Sequence, residues 1–143
     1  MEPADRSART GGVPRRILVE PLLRDERAAI PRDYKLFMFH GRCRMIQVDD
    51  DRFGQHTRTC YDEAFRPLDV TYRYPQGPHE EAPKTFGAML ELASALAEPF
   101  AFVRVDLYSI GERVYVGELT HWPVSGHGRF EPISYDAWLG EFW

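Results

Sequence analysis

The sequence predicts an α+β fold: an antiparallel sheet with one main helix and a short C-terminal helix. Three observations predict it. Strand-like runs fill the first half at 33–40, 44–49 and 56–62, one strongly periodic helix follows at 85–98, and two more strand-like runs lie at 102–108 and 113–119. Strands grouped in runs, with helices set to one side, argue against a doubly wound parallel sheet.

The elements follow in order. Residues 1–12 mix Ala, Arg, Ser, Thr and Gly without apolar periodicity and are expected to form a disordered leader; the ordered domain is expected over 13–143. Ile17-Leu18-Val19-Glu20 reads as a short buried strand ended by Pro21. Residues 22–31 form a polar loop carrying Arg24, Asp25, Glu26 and Arg27. The aromatic run 33–40 turns at Gly41 and returns over 44–49, which reads as a hairpin. A third strand is expected at 56–62, and the prolines at 67, 75, 78 and 83 make 63–84 a loop. From 85 to 98, Phe86, Met89, Leu90, Leu92, Ala93 and Leu96 recur near the 3.6-residue period. Thr85 is the expected N-cap and Pro99 the stop. Gly111 turns the chain between the last two strands, and Ser134 is the expected cap of a short helix over 134–139.

Composition bounds the function. The 143 residues leave room for one domain with its own core, and 43% of them are apolar. The net charge of −4 argues against a nucleic-acid binder, which normally shows a basic excess. No apolar run approaches the roughly 20 residues of a membrane span, and the polar, arginine-containing N-terminus lacks a signal peptide's apolar core. A cytoplasmic protein is expected. Cys43 and Cys60 fit no CxxC spacing and read as reduced thiols.

The chemistry concentrates in Phe102-Val-Arg-Val-Asp-Leu-Tyr108 and Val114-Tyr-Val-Gly-Glu-Leu-Thr120. Alternation puts Arg104 and Asp106 on one face of their strand, with Val103, Val105 and Leu107 on the other. On the next strand Val114, Val116, Glu118 and Thr120 are expected to share a face. In register, Asp106 and Glu118 lie side by side. Two readings are open. Either a cation sits between the carboxylates, for which magnesium with its oxygen ligands is the natural candidate, or Arg104 pairs with them as part of a polar sheet face.

Elsewhere, Arg52, His56 and Arg58 form a cluster suited to an anionic substrate or a solvated loop. Asp49-Asp50-Asp51 reads as a charged turn. His121, Trp122, Ser125, His127 and Arg129 lie in a Gly-rich loop after the last strand. That loop either faces substrate or is structural, with Trp122 packed beneath it. The His121–His127 spacing matches no zinc motif.

Taken in sequence, "ILVEPLL…RDYKLFMFHGRCRMIQVDDDRFGQHTRTCYDEAF" and "FAFVRVDLYSIGERVYVGELTHWPVSGHGRF" resemble the TupA-like ATP-grasp family over about residues 17–143. The resemblance implies the C-terminal subdomain of an ATP-grasp fold that uses ATP and Mg²⁺. It implies a carboxylate–amine ligase acting through an acyl phosphate in cell-surface polysaccharide synthesis. It places Glu20 at the adenine hinge, Leu22 and Leu23 on the base pocket wall, and Asp33 with Lys35 near the ribose. Asp106 and Glu118 match the magnesium carboxylates, and Arg104 the arginine near the acyl phosphate. Thr120 stands where many members have asparagine. The subdomain that grips the nucleotide phosphates would precede the hinge. A gene fragment, a degenerate domain and a separate partner chain supplying that subdomain remain open readings. So do two other roles, a non-catalytic nucleotide- or partner-binding module and a glycosyltransferase-type protein; the latter has no residue pattern of its own in its favour.

Overall fold

Alternation in the aromatic run sets the layout. The structure, a computed structural model, describes residues 16–143, so the expected leader lies outside the described residues. In chain order the elements are β1 (Asp33–Phe39), β2 (Arg42–Asp50), β3 (Thr57–Tyr61), β4 (Thr71–Tyr72), α1 (Phe86–Ala97), β5 (Phe102–Ile110), β6 (Arg113–Thr120), β7 (Phe130–Glu131) and α2 (Ser134–Gly140). Five strands form an antiparallel sheet in the order β3-β2-β1-β5-β6, and β4 pairs with β7 in a separate two-stranded ribbon. This is the α+β arrangement with two helices that the strand and helix order predicts. None of its helices is long and apolar enough to cross a membrane among the described residues.

β1 is the central strand, and its seven residues are all buried. Tyr34, Leu36 and Met38 face a core shared with Ile46, Val48, Val103, Val105 and Leu107. Helix α1 closes that core with Met89, Ala93 and Ala97, a stripe at four-residue spacing in which alanine lets the helix approach the strands closely. On the opposite face Phe37 and Phe39 join Met45, Cys60, Val70, Tyr72, Phe130 and Leu139 in a second core beneath β4, β7 and α2. The second core covers one end of that face only. Both cysteines are free, and burial pushes their thiols up to about 12.

Several local expectations are corrected. Ile17-Leu18-Val19-Glu20 is not a buried strand: Ile17 is 94% and Val19 86% exposed, with no strand of the described residues alongside to complete a ladder. Val114 and Val116 do not share a face with Glu118 and Thr120. The register slips between Asp106 and Leu107, with Glu118 opposite Asp106 but Val116 opposite Leu107, so Gly117 is a bulge residue and face parity reverses across it. Thr85 occupies the N-cap position, yet its hydroxyl bonds Ser109 Oγ at 2.7 Å instead of a helix N–H. Ile133, not Ser134, stands at the N-cap of α2, because the helix starts one residue earlier than a serine cap requires. The proline-rich stretch carries the two-residue strand β4, too short to read from alternation.

Met89→Ala is expected to destabilise the chain by about 2–5 kcal/mol, since it empties a fully buried site under the sheet. Gly87→Ala, on the exposed face of the same helix with nothing within 4 Å of the added methyl, should stabilise by roughly 0.5–1 kcal/mol. Urea titrations of the two variants check the pair.

Candidate functional site

The uncovered end of the second sheet face is lined by charge. On β1, Asp33 and Lys35 share the face of Phe37 and Phe39 but lie beyond the apolar cover. The ladder sets Asp49 and Tyr108 opposite Asp33, then Gln47 and Asp106 opposite Lys35. β3 adds Arg58 opposite Asp49, and β6 adds Glu118 opposite Asp106 and Thr120 opposite Arg104. Five strands thus place one row of polar side chains across the sheet.

Asp33, Lys35, Gln47, Asp49, Arg58, Arg104 and Asp106 are buried, so each charge among them requires a partner. Lys35 Nζ donates to Asp33 and, at 2.6 Å, to Asp106 Oδ2. Arg104 grips Asp106 with two bonds, Nε to Oδ1 at 2.6 Å and Nη2 to Oδ2 at 2.7 Å. Its Nη2 also reaches Glu118 Oε1 at 3.0 Å and Thr120 Oγ1 at 3.2 Å. The Thr120 hydroxyl donates to Glu118 Oε1 at 2.7 Å. Arg52, half exposed, donates to Asp33 Oδ2 at 2.8 Å. At the other edge Arg58 forks onto Asp49 at 2.6 and 2.8 Å and donates to the Tyr72 carbonyl at 3.2 Å. Gln47 Nε2 also donates to Asp49. Asp33, Asp49, Asp106 and Glu118 are therefore balanced by Lys35, Arg52, Arg58 and Arg104.

Environment separates the carboxyls. Burial pushes Asp106 above the ordinary carboxylate range, against the pull of Arg104 and Lys35. Burial also opposes ionisation of Asp49, but the Arg58 guanidinium outweighs it and holds that carboxyl below the usual range. Glu118 is held low by the Thr120 hydroxyl and by Arg104, and its side chain is 64% exposed. One carboxylate of the row thus faces solvent while its neighbour is sealed. The buried oxygens Asp33 Oδ1 and Gln47 Oε1 have no hydrogen-bond partner, which leaves acceptors available to a donor group beside Lys35.

The expected site residues fall into two sets. Lys35, Asp33, Arg104, Asp106, Glu118, Thr120 and Arg52 come together on the polar face. Arg58 stands at its edge, and His56 stacks on Tyr74 with centroids 3.8 Å apart and Nε2 3.6 Å from Asp49. Glu20, Leu22 and Leu23 lie in an irregular segment, with Leu22 64% exposed. Trp122 is 74% exposed, so it is not packed beneath its loop, and Ser125 is exposed beside it. Asp49 does not belong to a charged turn: it is buried on β2. Gln47, Asp49 and Tyr108 were missed as members of the row; alternation along β2 and β5, counted from Asp33, carries the signal that finds them.

Magnesium takes oxygen ligands, with one or two carboxylates and the remainder from phosphate and water. Asp106, Glu118 and Thr120 fit in donor type and lie next to one another. The space between the two carboxylates is bridged by Arg104 Nη2, which contacts both. The donor types suit the ion, and Arg104 fills the space between them. Among the described residues no cluster of three or more His, Cys, Asp or Glu side chains is arranged to hold a metal ion.

The model of the TupA-like ATPgrasp family matches residues 5–143 of this chain. No curated protein and no solved structure matches it.

Asp49→Asn leaves the buried Arg58 unpaired and is expected to cost about 3–5 kcal/mol at neutral pH. Because Asp49 is depressed in the folded state, its contribution is complete above the unfolded value of about 3.9 and is lost as pH falls through the lower folded value. Acid titrations of stability should therefore be shallower in the variant than in the parent below about pH 4.

Proposed function

The chain belongs to the TupA-like ATP-grasp family, and on that premise we propose that its polar sheet face is the magnesium–nucleotide end of an ATP-dependent carboxylate–amine ligase. The observation that carries this reading is the row Lys35–Asp106–Arg104–Glu118, in which the one solvent-facing carboxylate adjoins a buried carboxylate gripped by two cations. Asp106 and Glu118, with Thr120, would hold the ion. An ion held there would supply positive charge to offset that of nucleotide phosphates and of a transferring phosphoryl group.

The chain's own residues supply the rest. Lys35 is fixed between Asp33 and Asp106, so its ammonium is aimed without further loss of side-chain entropy. Arg104, once its Nη2 leaves the two carboxylates, would keep Nε on Asp106 and offer its Nη atoms to an acyl phosphate. Asp33, with one oxygen unpartnered, is placed to accept from ribose hydroxyls. Glu20, Leu22 and Leu23 would form the adenine hinge. A cavity of about 540 Å³, which none of these three lines, is walled by Ile30, Pro31, Tyr34 and Ile110 and by the charged Arg32, Asp50 and Glu80. That volume lies within the roughly 300–1,000 Å³ of small-molecule sites. Arg52, His56, Arg58, Trp122 and Ser125 are assigned to the carboxylate or amine substrate.

In this reading the protein works in the cytoplasm, in polysaccharide biosynthesis. One observation favours a second reading, a non-catalytic binding module: every carboxylate of the row already has a protein cation. The two readings differ in what ATP does once bound. Turnover of ATP with a carboxylate and an amine supports the ligase, and binding without turnover supports the module.

Calorimetry tests the shared premise. ATP should bind saturably in the presence of Mg²⁺, and Glu118→Gln should weaken that binding by about tenfold while leaving the urea midpoint unchanged. Removing the competing cation with Arg104→Gln should tighten Mg²⁺ binding measured without nucleotide. Mg²⁺-independent ATP binding, or no binding, overturns the assignment.

A further inference from the structure

A second polar concavity lies away from the charged row. Strand alternation in the β4–β7 ribbon turns Tyr72 and Phe130 inward, where their rings stack at 4.2 Å over the second core. The same alternation turns Thr71 and Glu131 outward, and Arg73 and Arg129 flank the ribbon on its two segments. These four, with His127, line a cavity of about 340 Å³. Two guanidiniums and one carboxylate therefore share an outward hollow in a chain whose net charge is −4.

Like charges side by side are unfavourable unless something neutralises them. Among the described residues no ion pair engages Arg73 or Arg129; Arg73 lies only over the Tyr74 ring, 6.0 Å from its centroid. Both side chains are exposed, with their donors open to solvent.

The hollow is also built with backbone cost. Arg73 has φ 67, and Val124 and Ser125, just before His127, have φ 52 and 55. Such values are rare for residues other than glycine, rarest for a β-branched one, and persist where surrounding structure imposes them. Behind the hollow the chain is tightly set. A Cβ on Gly128 would fall 2.1 Å from the Tyr72 hydroxyl, so the loop backbone rests directly on the ring edge. The Tyr72 carbonyl in turn accepts from Arg58, which ties the ribbon to the polar sheet face.

We infer that this hollow is an oxyanion site, built to receive a phosphate or carboxylate group between Arg73 and Arg129. Arginine's planar fork matches either oxyanion through paired bonds. Thr71 and His127 add polar contacts at the rim, and Glu131 sets an upper limit on affinity by repelling the same anion. The inference stands apart from the nucleotide reading, since none of the residues lining the hollow is assigned to that site.

The test is titration of the chain with inorganic phosphate and, in a parallel arm, with acetate, at constant ionic strength, followed by amide chemical shifts. Saturable shifts should centre on β4, β7 and the 127–129 loop, and the arm that saturates at lower concentration identifies the oxyanion class. Arg73→Gln and Arg129→Gln should each weaken binding by about tenfold, and Glu131→Gln should tighten it. Because all three side chains are exposed, an unchanged urea midpoint separates loss of binding from loss of fold. Three results would overturn the inference: shifts centred on the Lys35–Arg104 row, equal affinities in parent and arginine variants, or shifts reproduced by sodium chloride.

Discussion

The structure depends on the burial of Lys35 and Arg104 against Asp106 in the middle of a five-stranded sheet. Removing an ion from water costs several kcal/mol even after relaxation, and the attraction between ions repays it only when geometry is good and remaining hydrogen bonds are made. Here the strands make the geometry. Lys35 and Asp106 are cross-strand partners, while Arg104 and Asp106 are two apart on one strand and so share a face. A hydrophobic row in these positions would stabilise the sheet as well or better. The charges are therefore hard to explain by stability alone and fit a surface kept for a polar ligand.

Packing explains why the row stays open. The helix-side face is filled by aliphatic side chains and sealed by α1. On the other face an aromatic group covers only the Phe37–Phe39 end, where Phe39 and Phe102 lie 4.9 Å apart and Trp143 meets Phe39 edge-on. Beyond that cover the only way to shield Asp33, Lys35 and Asp106 is mutual pairing. The bulge at Gly117 completes the design. Were Gly117 paired in regular alternation, Glu118 would project on the side of Val114, away from Asp106; with the bulge, Glu118 and Thr120 join the charged face while Val114 still packs against the helix-side core. The bulge leaves little room for a side chain at Gly117, since a Cβ there would lie 3.1 Å from the Tyr108 ring and 3.3 Å from the Asp106 carbonyl.

Much of this was legible in the sequence because two periodicities are simple. Alternation over Phe102–Ile110 separates Arg104 and Asp106 from Val103, Val105 and Leu107 without knowledge of any neighbour. The helix follows from its apolar spacing. Three features were not legible. The bulge breaks a period that alternation assumes to be unbroken. Asp49 looked like part of an acidic turn because its partner Arg58 is nine residues away and becomes adjacent only when β2 and β3 pair. Ile17-Leu18-Val19 has the composition of a buried strand, but burial belongs to the neighbours of a segment and not to its residues. The choice between a metal and an arginine across Asp106 and Glu118 was equally open, since strand spacing fixes where the carboxylates stand and not what lies between them. Family membership rests on the ordered set of motifs along the whole chain and not on that pair.

The central claim is that Asp106 and Glu118 form a magnesium seat that Arg104 occupies until nucleotide arrives. Paramagnetic broadening tests it most directly: Mn²⁺, which shares magnesium's preference for oxygen ligands, is added to the labelled chain in the presence of ATP. Amide signals flanking Asp106 on β5 and Glu118 on β6 should broaden first, with the Arg104 side-chain signal shifting as it leaves the seat. Broadening centred instead on the acidic Asp49-Asp50-Asp51 stretch, or spread evenly over surface carboxylates, would contradict it.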